Sequence, residues 1–238
     1  MAKVGIIGGS GVEGLLFSKG FKTKTIKTGY GPIKIEHGEV AGKEIFFIRR
    51  HGEHYVLPYQ VNYRGNVAAL KKLGVGRIIA TAAVGCISPK MKPGDFAVLD
   101  DFIDFTKRRH ETFSENAFID VSSPYDRQLT DKILSAAGKL KLKVDKKATY
   151  VCTEGPRFES RAEIKMFGKM GADVVGMTQA AEVVLAVEAQ IPYAVIAVVT
   201  NYAAGIKPKK ITSKEVFKMM KEKKNLLSRL LTQTIKTL

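Results

Sequence analysis

The chain has few cysteines, few histidines and no long hydrophobic run, and each shortage removes a class of protein. Its two cysteines, Cys86 and Cys152, stand far apart in apolar surroundings. They read as buried thiols rather than a disulfide, so a disulfide-stapled scaffold is excluded. The four histidines, His37, His51, His54 and His110, lack the spacing of a recognised metal motif, and no metal is expected. Apolar runs such as Val195–Thr200 are strand-length, too short to cross a bilayer. The opening MAKVGIIGGSG has neither the apolar core nor the cleavage site of a signal peptide, so the expected location is cytoplasmic. Also missing are HExxH, a GxSxG elbow in Ser-His-Asp order and a P-loop lysine. No internal repeat or low-complexity linker divides the chain.

What the chain has in excess is positive charge: 39 Lys and Arg against 23 Asp and Glu, a net charge of +16. Such a balance favours anionic partners. The basic residues concentrate in Lys139–Lys147 and Lys207–Lys224, on expected helix ends and faces. They lack the regular aromatic interleaving of a single-strand binder. The surface therefore reads as solvated lysine, with no nucleic-acid and no membrane partner expected. A basic nucleotide- or RNA-binding protein without turnover is the non-enzymatic alternative.

The 238 residues, 45% of them hydrophobic, suit one large domain spanning residues 1–238. Strand patterns at Val4–Ile7, Ile45–Ile48, Arg77–Val84, Phe96–Phe105, Ala148–Cys152, Val174-Val175 and Ala194–Thr200 alternate with helical ones. The helices are expected at Val61–Leu73, Gln128–Lys141, around Ile164–Met170, at Glu182–Ala189 and over Ser213–Ile235, with Ser213 as the cap of the last. Residues 20–36 read as a hairpin turning at Gly29–Pro32. The expected class is α/β, a mixed twisted sheet flanked by helices.

At five strand ends, polar or glycine-rich residues follow the apolar run at once: Ser10, Arg50-His51, residues 81–85, Thr178 and Thr200-Asn201. Open α/β folds bind ligands at strand ends, so these point to one composite small-molecule site. Gly8-Gly9-Ser10-Gly11 suits an anion, or is a turn that simply needs glycine. Arg50-His51 offers a donor fork and an imidazole to a phosphate, or is surface charge. Thr178 donates a further hydrogen bond, caps a helix, or does both. Glu159 and Asn201 match a 6-oxopurine: the carboxylate accepts from N1–H and the amide meets O6 and N7, while Phe158 stacks on the ring. Alternatively, Glu159 is a first-turn carboxylate favoured by the helix dipole.

GGSG, RRHGEHYVLPYQVNYRGN, PGDFAVLDDFIDFT, TEGPRFESRAEIKMFGKMGADVVGMT and TNYAAG occur in that order over residues 3–206. Together they resemble the trimeric purine nucleoside phosphorylase/methylthioadenosine phosphorylase family. The resemblance implies that family's fold and phosphorolysis: phosphate attacks C1′ of a purine nucleoside, and a free purine and a (methylthio)ribose-1-phosphate result. It implies no metal or organic cofactor and a homotrimer or dimer of trimers. It assigns phosphate to Ser10, Arg50, His51, Ala82, Ala83 and Thr178, the sugar to Met177, and the base to Phe158, Glu159, Asn201 and Ala203. Asn201, Glu159 and His51 are the expected catalytic groups.

The methylthioadenosine branch carries Asp-Tyr-Asp where this chain has Asn201-Tyr202-Ala203, and a small residue at Glu159; the 6-oxopurine branch carries glutamate and asparagine, as here. Three positions depart from the family: Ala82 replaces a hydroxyl residue, Ala180-Ala181-Glu182 lacks a proline, and Phe118 replaces a histidine offered to the neighbouring subunit's 5′ group. The expected best substrate is S-methyl-5′-thioinosine, with inosine or guanosine as further substrates; a methylthioadenosine phosphorylase with an atypical pocket is the alternative.

Overall fold

The computed structural model describes residues 2–12, 20–107, 112–114 and 118–238. Arg108, Arg109, His110, Glu115 and Asn116 lie outside the described residues. Nine strands join one sheet: β1 (Lys3–Gly8), β2 (Lys22–Thr28), β3 (Gly31–Val40), β4 (Lys43–Arg49), β5 (Arg77–Cys86), β6 (Phe96–Phe105), β7 (Val144–Thr153), β8 (Val174–Gly176) and β9 (Tyr193–Tyr202). Five helices accompany them: α1 (Tyr63–Lys72), α2 (Arg127–Lys139), α3 (Arg161–Lys169), α4 (Gln179–Glu188) and α5 (Ser213–Ile235).

The strand order is β2-β3-β4-β1-β5-β8-β7-β6-β9, and β5 also pairs with β9. Strands β5, β8, β7, β6 and β9 therefore close on themselves, a closure added to the expected mixed sheet. Both β5 pairings are possible because β5 runs past Gly85, bulging at Val84/Gly85; it pairs with β9 along its length and meets β8 at its tip. β2 and β3 form the expected hairpin.

Alternation along β1 assigns the two faces. Ile7 packs with Val67 and Leu70 of α1 and Val183, Leu185 and Ala186 of α4. Val4 and Ile6 pack with Leu129 and Ile133 of α2 and Met220, Leu227, Leu230 and Leu231 of α5. The β9 run Ala194–Val199 is buried on both faces, which is why it reads as a continuous apolar stretch.

Local chemistry fixes the helix starts. Asn62 and Asp126 cap α1 and α2 by accepting from Gly65 N and Leu129 N. Ser160 and Glu163 form a reciprocal box at α3. For α5 the cap is Thr212, which accepts from Glu215 N; the expected cap, Ser213, is the first helical residue.

The parallel block β4-β1-β5-β9 positions the site. These four strands run in register in one direction, so their C-terminal ends share one edge. That edge presents Arg50-His51, Ser10, residues 83–85 and Asn201 together. Among the described residues no helix is long and apolar enough to cross a membrane.

Candidate active site

The edge opens into a cavity of about 210 Å³. Ser10, Arg50, His51, Ala83, Phe158, Glu159, Met177, Thr178, Asn201 and Ala203 all line it, so ten expected site residues from six strand ends and their loops meet in one place. Ala82 does not. It is 2% exposed, and its side chain packs in the core with Ala80 and Val84. The hydroxyl sits one residue earlier. Thr81 Oγ1 accepts from Gly9 N at 3.0 Å and so holds the glycine turn.

Arg50 is 2% exposed, which overturns the surface-charge alternative. Its Nε and Nη2 donate to the two carboxylate oxygens of Glu182 at 2.7 Å each, and Nη1 donates to Thr81 O at 2.8 Å. Burial opposes the guanidinium charge, but Glu182 outweighs it and pushes the pKa above the ordinary arginine value. The second N–H on each Nη remains for an anion. The glycine turn comes this close because it lacks side chains: a Cβ on Gly9 would lie 2.6 Å from Arg50 Nη1 and 2.8 Å from Thr81 O. Gly9→Ala is therefore expected to raise the phosphate KM by roughly 10-fold, since overpacking of about 1–3 kcal/mol must be relieved by moving Arg50; initial rates against phosphate concentration check it.

His51 Nδ1 meets Val56 O at 2.8 Å, and a carbonyl only accepts, so the neutral ring carries its proton there. The ring stacks on Tyr55, centroids 4.7 Å apart. Tyr55 holds a left-handed backbone (φ +52°), hydrogen-bonds Ser10 and meets Phe217 of α5 edge-on.

At Thr178 the expected alternatives separate. It occupies the N-cap position of α4 but makes no capping side-chain bond. Tyr150 Oη accepts from Thr178 N instead, at 3.1 Å. The hydroxyl lies on the cavity wall, 3.3 Å from Gln179 Nε2.

Glu159 separates as well. Glu163 serves the α3 N-terminus, so Glu159 is not the first-turn acid. It is 8% exposed on the cavity wall, with Thr153 Oγ1 donating to its Oε1 at 2.6 Å. Burial raises its pKa above the usual glutamate value, with Thr153 opposing. Across the cavity, Asn201 Oδ1 accepts from Thr200 Oγ1 at 2.8 Å, and Nδ2 donates to Tyr202 O at 3.0 Å. These contacts orient the amide and leave one N–H of Nδ2 uncommitted. Met177 is seated by Gly155, where a Cβ would lie 2.6 Å from its sulfur.

A buried acid, a buried amide and an anion pocket in one cavity are chemistry that homology can place. The phosphorylase superfamily model matches residues 3–236. The chain belongs to the phosphorylase superfamily. A probable 6-oxopurine nucleoside phosphorylase of Thermococcus kodakarensis is 46% identical, the match covering 99% of this chain and 92% of the relative. A probable S-methyl-5′-thioinosine phosphorylase of Methanopyrus kandleri is 45% identical, over 93% of this chain and 87% of the relative. Among solved structures, methylthioadenosine phosphorylase from Schistosoma mansoni in complex with adenine superposes with a TM-score of 0.95 at 29% identity, over 100% of this chain and 91% of that one.

Sequence reasoning missed several residues of this superfamily member's site. Tyr55, Leu57, Pro58, Val216 and Phe217 wall the cavity; the first three fall inside RRHGEHYVLPYQVNYRGN without being singled out there, and Phe217 reads as core. Glu182 stood in the sequence only as the residue after a missing proline. Its signal was available: an acid in the apolar run AAEVVLAVE must find a cation if that face is buried. Phe118 is fully exposed and does not line its own chain's cavity.

Proposed function

We propose that the protein is a phosphate-dependent purine nucleoside phosphorylase selective for 6-oxopurines, with S-methyl-5′-thioinosine as best substrate and inosine or guanosine as further ones. The observation that carries this is the pairing of Glu159 and Asn201 in the cavity that Arg50 and Thr178 also line. Phosphate takes the remaining Arg50 donors, the Ser10 and Thr178 hydroxyls and His51, and attacks C1′. The C1′–N9 bond breaks and negative charge grows on the purine. The uncommitted Asn201 N–H meets that charge at N7 or O6, and Glu159 accepts from N1–H. The Asn201 contact strengthens as charge develops and so acts on the transition state, while the Glu159 contact fixes the base in place. No metal or organic cofactor takes part.

Leu57, Pro58, Val216 and Phe217 give the wall an apolar stretch beside Tyr55 and Ser213, which favours a methylthio group over a 5′-hydroxyl. A contribution from Phe118 requires a neighbouring subunit, and a trimer or dimer of trimers, working in the cytoplasm, is part of the proposal. The test is spectrophotometric: methylthioinosine, inosine and methylthioadenosine, each with and without phosphate. Phosphate-dependent hypoxanthine release exceeding adenine release is expected. A clear adenine preference sinks the base assignment, and no phosphate dependence sinks the reaction.

The raised pKa of Glu159 sets the acid limb of the pH profile. As pH falls through that value the carboxylate takes a proton and stops accepting from N1–H. The decline in kcat/KM, which reports the free enzyme, is expected to centre above the ordinary glutamate range and to vanish in Glu159→Gln at a lower plateau. A limb unchanged in that variant would assign it to another group.

A further inference from the structure

Behind the anion pocket lies a row of side chains that do not line the cavity. Gln179 and Glu182 are fully buried and Tyr193 is 1% exposed. Tyr193 Oη lies 2.6 Å from Gln179 Oε1 and 2.7 Å from Glu182 Oε2. Gln179 reaches Thr178 Oγ1, and Glu182 grips Arg50 through both carboxylate oxygens. Arg50 in turn bonds Thr81, whose hydroxyl holds the glycine turn before Ser10. A continuous chain of hydrogen bonds therefore runs from that turn to Thr178, and every interior link is away from solvent.

We propose that Gln179, Tyr193 and Glu182 are a positioning relay that sets Thr178 and Arg50 at one separation, matched to a single phosphate. This rests on the phosphorylase reading. Thr178 and Arg50 come from different elements, the start of α4 and the end of β4, and their elements are not hydrogen-bonded neighbours in the sheet. Among the described residues, the polar contacts that tie one to the other run through this row.

Proton counting gives the relay a direction. The Tyr193 hydroxyl has one proton and two oxygens within reach. The carboxylate, being charged, is the stronger acceptor and takes it. The contact with Gln179 is then satisfied when the amide turns its NH2 to Tyr193 and its carbonyl to Thr178. In that state the Thr178 hydroxyl donates to Gln179 while the pocket is empty and swings to the phosphate when it fills. Each bond in the row has one donor and one acceptor, so the loss of any member leaves a buried group unsatisfied at one side of the pocket.

The experiment uses Tyr193→Phe and Gln179→Met, both close in volume to the native residue. Steady-state kinetics are measured against phosphate at saturating nucleoside, and against nucleoside at saturating phosphate, together with calorimetric titration of inorganic phosphate and melting. The phosphate KM and Kd are expected to rise by roughly 5- to 20-fold, the effect of a charge-linked hydrogen bond, while the nucleoside KM stays within about twofold. Lower stability with an unchanged phosphate KM, or both KM values rising together, overturns the relay. So does failure of both variants to fold, which would make these residues packing. Phosphate binding by the unaltered protein with no purine release would instead overturn the phosphorylase reading and leave the relay standing.

Discussion

Replacing Asn201 by aspartate is expected to lower kcat/KM for inosine and methylthioinosine by about 100- to 1,000-fold, the range seen when a donor to a developing oxyanion is removed. The side chain keeps its shape but loses its donor. In the native protein Thr200 fixes Oδ1 and Tyr202 O takes one Nδ2–H, so the last N–H can only point to the ligand. In the variant a carboxylate oxygen replaces that nitrogen. It faces the Tyr202 carbonyl on one side and, on the other, a purine gaining negative charge. An ionised aspartate repels both, and a protonated one gives up its proton to only one of them. A nucleobase that presents donors to this edge should lose less, so the ratio of methylthioadenosine to methylthioinosine turnover should rise. The substrate panel at saturating phosphate reads both numbers. An unchanged ratio would show that Asn201 does not read the base.

Legibility followed from where each residue's determinants lie. The strand ends were readable because their apolar runs stop abruptly at glycine, arginine or asparagine, and a parallel sheet brings such ends together. Ser10, Arg50, His51, Ala83, Thr178 and Asn201 could thus be grouped before any geometry was known, and Phe158 and Glu159 were matched to the base by their chemistry; Met177 and Ala203 entered only through the family resemblance. The environment of each was not readable. Glu182, which determines whether Arg50 is surface charge or a buried fork, lies 132 residues away. Facing along β5 was not readable because its burial barely alternates: Thr81 and Ala82 are both buried, so pattern does not tell which carries the polar contact. The alternatives for Glu159 were likewise equal until Glu163 was seen to occupy the helix start. Closure of the sheet was hidden for a different reason: it depends on β5 being long enough to serve two neighbours, and a strand's partners leave no trace in its own residues. The last helix shows the same limit. Phe217 has core spacing, yet it meets Tyr55 at the cavity mouth.

Glu182→Gln is the second large expectation, and it concerns stability. Arg50 keeps its charge when its partner is neutralised, because a guanidinium is not deprotonated in proteins near neutral pH. The guanidinium then remains buried, bonded to Thr81 O and an amide but without a counter-charge. Breaking one side of a buried pair costs about 3–5 kcal/mol. For a chain of this length that corresponds to a fall in melting temperature of roughly 6–20 °C. A second variant separates lost attraction from stranded charge. Arg50→Met combined with Glu182→Leu removes both charges and refills the space, and exchanging a buried pair for apolar groups is often neutral. The double variant is therefore expected to melt well above Glu182→Gln while showing no phosphorolysis. If it melts as low as the single variant, the pair stabilises the fold by its own attraction. If it recovers, the buried charge is maintained at little or no gain in stability, and its retention is explained by what Arg50 does at the other face of its fork, where the two remaining N–H bonds meet an anion.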